Sequence, residues 1–454
     1  MNQERVLLTS SKAISEVLVT KSYDFVKPPA FRWSLGRILG IGVLLAEGDE
    51  HKRQRKNLMP AFAFRHVKDL YPMFWSKSKE VIAAMTEAVR ADASATSGVG
   101  GAEKSGANPK AVLEVGSWAS RVTLDIIGVA GLGRDFNTIK DPDNTLSTTY
   151  RTVMQPSGQA RFLTLLSLFL PGWIVTNLPL KRNEDMNQAS QVIRDACRDL
   201  VREKREKLAR KELHDLDILS VAIESGGFTD DDLVNQMMTF LAAGHETTAS
   251  ALQWAIYLLC LHPEVQARLR DEVRERLPSL ESHEDVTALD IDRMPYLTAV
   301  CNEVLRYYSP VPMTQRQAAV DTTIAGHRIP RGTTVILCPW SVNRDPALWG
   351  EDAGRFNPER WLVREGDEGS RAAALGGAES NYSFLTFLHG PRSCIGMGFA
   401  KAEFACLLAS FVGRFGFELR DKELYDEKNI KIKGAVTARP KDGLWVYATA
   451  LDGW

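Results

Sequence analysis

Residues 231–263, DDLVNQMMTFLAAGHETTASALQWAIYLLCLHP, carry the longest clean helical pattern in the chain, and everything else has to pack around it. Thr229 and Asp232 stand at capping-box spacing before it, although that box prefers Glu or Gln at its second place. His262-Pro263 closes the run. Inside lies AGHETT, with Gly244 followed by Glu246, Thr247 and Thr248. A glycine there costs about 1 kcal/mol relative to alanine. Two readings account for it. Either another helix crosses closely at Gly244 while the threonines bond back to the preceding turn, or Gly244 opens a groove for a small ligand beside the Glu246 carboxylate and the Thr247 hydroxyl.

The flanking sequence alternates between helix signals and interruptions. RVLLTS (5–10) predicts a strand and SKAISEVLVT (11–20) a helix. Pro28-Pro29 opens an irregular stretch reaching about Glu47, and VKDLYPMFWSKSKEVIAAMTEAV forms one amphipathic run. Residues 91–110 and 366–380 read as flexible insertions in one domain covering 1–454, with helices over 112–131 between them. ARFLTLLSLFLPGWIVTNLPL (160–180) is apolar but broken by Pro171, Gly172 and Pro179, which suits a pocket wall or a membrane surface and not a span. TTIAGHRIP and TTVILCPW read as strands joined at Arg331-Gly332.

Composition narrows the function. Hydrophobic residues make up 44% and charged residues 25%, with a net charge of -1, so no basic excess exists to neutralise nucleic-acid phosphates. The six cysteines lack C-x-x-C spacing and are too scattered for a disulfide framework. No secretory signal or membrane span is visible in the chain as given.

One cysteine stands apart. FLHGPRSCIG (387–396) sets Cys394 among glycines just before a helix. A thiolate on a metal needs nearby backbone N–H donors, and Gly390, Gly396 and Gly398 let the backbone approach. No second cysteine or histidine stands at zinc spacing, so the site calls for a cofactor that brings its own four ligands, namely haem. Arg392 is placed to reach an anionic group on it. In GDEHKRQRK (48–56), His51 and Arg55 share a helix face. They form a solvated basic face, or they point inward to hold carboxylates of a buried ligand. EVLR places Glu303 and Arg306 at i,i+3, ordinarily a surface ion pair. Beside FNPERW, with Arg360, the alternative is one carboxylate clamped by two arginines, pinning that meander to the helix.

These four motifs occur in one order, and with them the chain resembles the cytochrome P-450 superfamily of haem-thiolate monooxygenases, in its microsomal-type fungal branch. FLHGPRSCIG fits F-x-x-G-x-R-x-C-x-G, AGHETT the oxygen-binding helix, EVLR the E-x-x-R pair and FNPERW the arginine meander. The resemblance implies a mainly α fold with a smaller β region, and haem b (iron protoporphyrin IX). Cys394 would be its axial ligand, with Phe387 packed beside the thiolate. Ala243, Gly244, Gly390 and Gly396 would line the cofactor, and His51, Arg55, Arg316 and Arg392 would hold its propionates. His51 departs from the pattern, since many relatives carry Trp there, but it can still donate a hydrogen bond. Glu303, Arg306 and Arg360 would form a structural triad.

The implied activity is insertion of one atom of dioxygen into a hydrophobic small molecule, by hydroxylation or epoxidation, in fungal secondary metabolism. Thr247 would steady oxygen and Glu246 would relay protons. Pocket walls are expected from Phe25 to Leu45, from 160–180, from Met237 to Ala243, and from Pro310 to Thr314. Electrons would come from an NADPH-dependent cytochrome P-450 reductase, since no dinucleotide fingerprint is present, and the protein would be a monomer. The alternatives are a haem-thiolate isomerase or dehydratase without external electrons, disfavoured by the intact Gly-x-Glu-Thr, and a degenerate haem binder. Microsomal relatives begin with a membrane helix, a hinge, a first helix and a first strand. The reading expects those elements to be missing here and an upstream apolar segment to anchor a longer form on the cytoplasmic side of the endoplasmic reticulum.

Overall fold

A computed structural model describes residues 4–97, 108–154, 172–212, 217–364, 370–434 and 436–454, with scattered positions between 155 and 171. Helices dominate. β1 (Arg5–Leu8) leads into α1 (Ser11–Ser15), which continues as a wider π turn over Glu16–Thr20. After β2 (Phe25–Val26) comes α2 (Pro29–Leu39), where the sequence predicts irregular chain. The prolines mislead there, because Pro29 opens the first turn, where no N–H is required, and Gly40 at φ 66° ends it.

α3 (Gly48–Leu58) follows, with acids in its first turn and bases in its last, matching the helix dipole. The expected single run after it divides into α4 (Phe64–Lys68) and α5 (Tyr71–Ser97), with Pro72 in the first turn of the second. α5 extends into the stretch read as a flexible insertion, and residues 98–107 lie outside the described residues. β3 (Lys110–Glu114) replaces the first residues of the expected helix, and α6 (Val115–Leu132) is capped by the Glu114 side chain. Beyond α7 (Thr145–Met154), nine positions of the apolar 160–180 stretch, between 160 and 171, lie outside the described residues, and α8 (Gly172–Asn177) follows. Two helices then lead to the centre, α9 (Lys181–Ala209) and α10 (Ile218–Glu224).

α11 (Asp230–Leu261) is the axis of the molecule. Both arms of its capping box are present, Thr229 accepting from Asp232 N–H and Asp232 from Thr229 N–H. Packed against it are α6, α9 and α14 (Met397–Arg414) in one large core that includes fully buried Trp254, Tyr257 and Phe411. Large apolar side chains buried this way contribute about 1.5–3 kcal/mol each. α12 (Pro263–Arg276) and α13 (Pro295–Tyr307) complete the bundle.

A four-stranded sheet in the order β1-β7-β4-β2 stands beside the helices, where β4 is Thr314–Ala318 and β7 is Thr334–Leu337. β1 runs parallel to β7, with Arg5 opposite Thr334, and a second core fills the space between this sheet and α1. TTIAGHRIP is itself a hairpin of β5 (Thr322–Ile324) and β6 (His327–Ile329), turning at Ala325-Gly326 with φ 50° and 88°. The turn at Arg331-Gly332 therefore leads out of one sheet into another and joins no paired strands. The 366–380 insertion contains β9 (Ser370–Ala372), paired with β8 (Leu362–Arg364). β10 (Phe415–Leu419), β13 (Trp445–Ala450) and β3 form a third sheet. β11 (Ile432–Lys433) pairs with β12 (Arg439–Pro440) near α11. No described helix is long and apolar enough to cross a membrane.

Candidate active site

The centre of α11 is buried along its length except at Ala243, Gly244 and Thr247, which are half-uncovered on one face. The two readings of AGHETT divide between residues. A Cβ added to Gly244 would meet the Ile127 side chain of α6 at 2.9 Å, so the glycine serves a close helix crossing. Thr247 bonds back to the Ala243 carbonyl at 2.8 Å. The opening expected from Gly244 is therefore bounded by Ala243 and Thr247. Met237, Met238 and Leu241, expected as walls, are covered by protein. Phe25 is likewise buried, whereas Ile41, Leu44 and Met313 are exposed. The end of α2, the loop after it and α3 are each fastened to α11 by one bond of 2.8 Å: Thr239 to Leu39 O, Val43 N–H to Gln236, and Gln236 to Gln54.

Cys394 is the exposed cysteine among six free ones. It nevertheless sits deep in the fold, where burial raises the thiol while the Gly396 N–H and the Arg55 guanidinium pull it back. The loop before it is sharply wound. Leu388 has φ 55°, uncommon for a residue with a side chain, and Cys394 N–H returns to Phe387 O at 2.8 Å. Gly390 is glycine for a reason other than the one expected. It has φ 74° and lies against the Leu18 carbonyl, with no room for a Cβ. A Cβ on Gly398 would meet nothing.

Beside the cysteine, basic side chains converge from four segments. Lys27, His51, Arg55, Arg316 and Arg392 surround one carboxylate, Glu47. Arg55 donates to Ser393 O at 2.7 Å, and His51 meets the Tyr23 hydroxyl at 3.1 Å. Arg392 donates to Phe25 O at 3.0 Å and lies 2.6 Å from Glu47, yet its Nε and Nη2 and Glu47 Oε2 have no aligned hydrogen-bond partner. Burial and the neighbouring arginines hold Lys27 well below its ordinary range. They push His51 down to about 4 and Arg316 to about 10. Mutual depression of this kind marks a site short of anions. Two carboxylates on a ligand whose metal accepts the thiol would supply them, and haem has both. Lys27, inside the expected Phe25–Leu45 wall, was not singled out as a member of this cluster, and neither were Glu47 and Tyr23, because no motif marks them.

The EVLR pair is no surface contact. Glu303 and Arg306 are fully buried in a bidentate pair at 2.7 Å, with Arg360 and Trp361 also on Glu303 at 3.2 and 2.9 Å. Arg306 donates to the carbonyls of Asn343, Ala353 and Arg355. Asn343 in turn accepts from Leu385 N–H at 2.7 Å and donates to Thr386 at 2.8 Å. The clamp thus reaches the start of the cysteine loop.

A helical fold carrying a thiol in a wound loop, a cation-lined recess and a threonine-bearing central helix defines a haem-thiolate protein. The Cytochrome P450 family model matches residues 1–445, and the chain belongs to the cytochrome P450 family. It is 49% identical to Cytochrome P450 monooxygenase sphH of Aspergillus fumigatus, over 100% of this chain and 80% of that protein. To Cytochrome P450 monooxygenase ALT8 of Alternaria alternata it is 45% identical, over 99% of this chain and 82% of the other. Cytochrome P450 monooxygenase buaD of Petromyces alliaceus is 42% identical, over 100% of this chain and 82% of its own length.

Proposed function

We propose that the chain inserts one atom of dioxygen into a C–H or C=C bond of a hydrophobic small molecule in fungal secondary metabolism. Cys394 would supply the thiolate to the haem iron, and His51, Arg55, Arg316 and Arg392, with Lys27, would hold the haem propionates. The observation that carries this reading is the partly satisfied Arg392 guanidinium, whose Nε and Nη2 have no aligned hydrogen-bond partner, in a basic cluster next to an uncovered thiol. Haem, when bound, supplies dioxygen activation, with electrons from an NADPH-dependent reductase.

The chain's own residues do the rest. Gly396 N–H and Arg55 stabilise negative charge on the sulfur. Thr247, its proton committed to the Ala243 carbonyl, keeps its oxygen lone pairs available on the open face. Glu246 is buried, which alone would raise its pKa, but His245, Arg439 and Thr437 bring it below the ordinary value. It is thus an ionised group inside the protein, able to accept a proton from outside and pass it inward. The exposed apolar side chains of Ile41, Leu44 and Met313, in the segments expected to wall the pocket, favour a hydrophobic substrate.

The test is Cys394→Ser. The wild type is expected to give the reduced carbon-monoxide spectrum of thiolate-bound haem and the variant to lose it. Retention of that spectrum would remove Cys394 as ligand.

A further inference from the structure

His245 is completely buried in the middle of α11, between Gly244 and Glu246, and the roles above give it no part beyond its pull on the Glu246 carboxylate. Its Nδ1 lies 2.7 Å from the Leu241 carbonyl. A carbonyl only accepts, so Nδ1 carries a hydrogen. Nε2 lies 3.5 Å from Glu246 Oε1 and has no aligned hydrogen-bond partner. If both groups were unprotonated, an imidazole lone pair and a carboxylate oxygen would lie 3.5 Å apart in a buried site with no hydrogen between them, a costly arrangement.

The ring is held in place. Tyr150 of α7 packs edge-to-face against it at 4.9 Å, and Thr123 of α6 donates to the His245 carbonyl at 3.1 Å. The other Glu246 oxygen lies 3.4 Å from Arg439 and 3.5 Å from Thr437, beside β12. Among the described residues, the ionisable groups facing the pair are therefore Tyr150, with Cys197 of α9 behind it, and Arg439. Among them Arg439 is the cation, and it favours negative charge on Glu246, placing the shared proton on the imidazole. Arg439 is partly exposed, so the pair reaches from the sealed interior towards solvent.

We infer that His245 and Glu246 share one proton held on His245 Nε2, so that His245 is a positioning residue and proton store for the Glu246 relay. The relay itself rests on the monooxygenase reading. In the step, the proton leaves Nε2 for Oε1, turning imidazolium and carboxylate into neutral imidazole and carboxylic acid. When Glu246 gives the proton up towards Thr247, it is again a carboxylate. A proton from water at the Arg439 edge then restores the imidazolium.

Two measurements test this on the haem-loaded protein. The first does not depend on turnover. With 15N-labelled histidine in the reduced carbon-monoxide form, His245 is assigned by its loss in His245→Asn. It is expected to carry hydrogen on both nitrogens at pH 7.5 in the wild type and to lose the Nε2 hydrogen in Glu246→Gln. A bare Nε2 in the wild type would overturn the inference. The second follows the fraction of NADPH electrons released as hydrogen peroxide from pH 6 to 9, with a fungal NADPH-dependent reductase and no added substrate. The wild-type fraction is expected to rise with pH through one inflection. His245→Asn keeps a donor for Leu241 O but no titrating nitrogen, and should be flat and at least threefold higher at pH 7. An unchanged pH profile in that variant would refute the proton store. A wild type that consumes no NADPH would count against the monooxygenase reading alone, and the 15N result would still decide the shared proton.

Discussion

Thr247 shows how one hydroxyl is read twice. Its bond to the Ala243 carbonyl looks like ordinary helix back-bonding, yet it sits on the uncovered face of a buried helix. Thr247→Ala should leave the haem spectrum intact while product formed per NADPH falls several-fold and hydrogen peroxide rises. Unchanged coupling in Thr247→Ala and Thr247→Val would remove its role. His51 makes a second prediction. Its pKa of about 4 lies below the ordinary 6.5, chiefly from burial and then from Arg392, Lys27 and Arg55. The unfolded chain therefore binds more protons between those values, so stability is present above pH 6.5 and is lost as the pH falls to 4. In haem-free protein this amounts to on the order of 3 kcal/mol. Urea unfolding across that range should show a shallower pH dependence in His51→Gln. Haem loading should flatten the wild type too, because propionates beside His51 raise its pKa.

At the level of elements, the crossing of α6 on α11 depends on Gly244. Gly244→Ala gains about 1 kcal/mol in helix propensity but places a methyl group 2.9 Å from Ile127, inside a packed core. The net loss is expected to be about 1–2 kcal/mol by chemical denaturation. Ile127→Ala should cost more by itself, and the double variant should be less destabilised than the sum of the two. Strict additivity would mean that the two helices do not meet there. Helix boundaries illustrate what a local pattern can tell. The capping box at Thr229 was legible because capping is local chemistry. α2 was missed because Pro28-Pro29 breaks a helix in its interior and starts one at its first turn, and the dipeptide does not say which.

For the whole molecule, the Glu303 clamp joins α13, the meander and the cysteine loop through Arg306 and Asn343. Glu303→Gln leaves Arg306 and Arg360 buried around a neutral amide. Removing one partner of a buried ion pair costs about 3–5 kcal/mol. The variant should therefore unfold at markedly lower urea and retain little haem. Wild-type stability with full haem occupancy would reduce the clamp to a local contact.

What the sequence determined by itself was the local and the ordered: the long capped helix, the oddity of Cys394 among glycines, and four motifs in one order. These follow from neighbouring residues, whose propensities and spacings act before the chain folds back. Only the tertiary structure decided that Glu303 and Arg306 are buried and not a surface pair. It also decided that Gly244 serves Ile127, and that Lys27 and Glu47 join the arginines around the recess. It alone set Arg439 against Glu246 across almost two hundred residues. Burial and long-range electrostatics depend on what each side chain meets after folding, and no spacing along the chain encodes that.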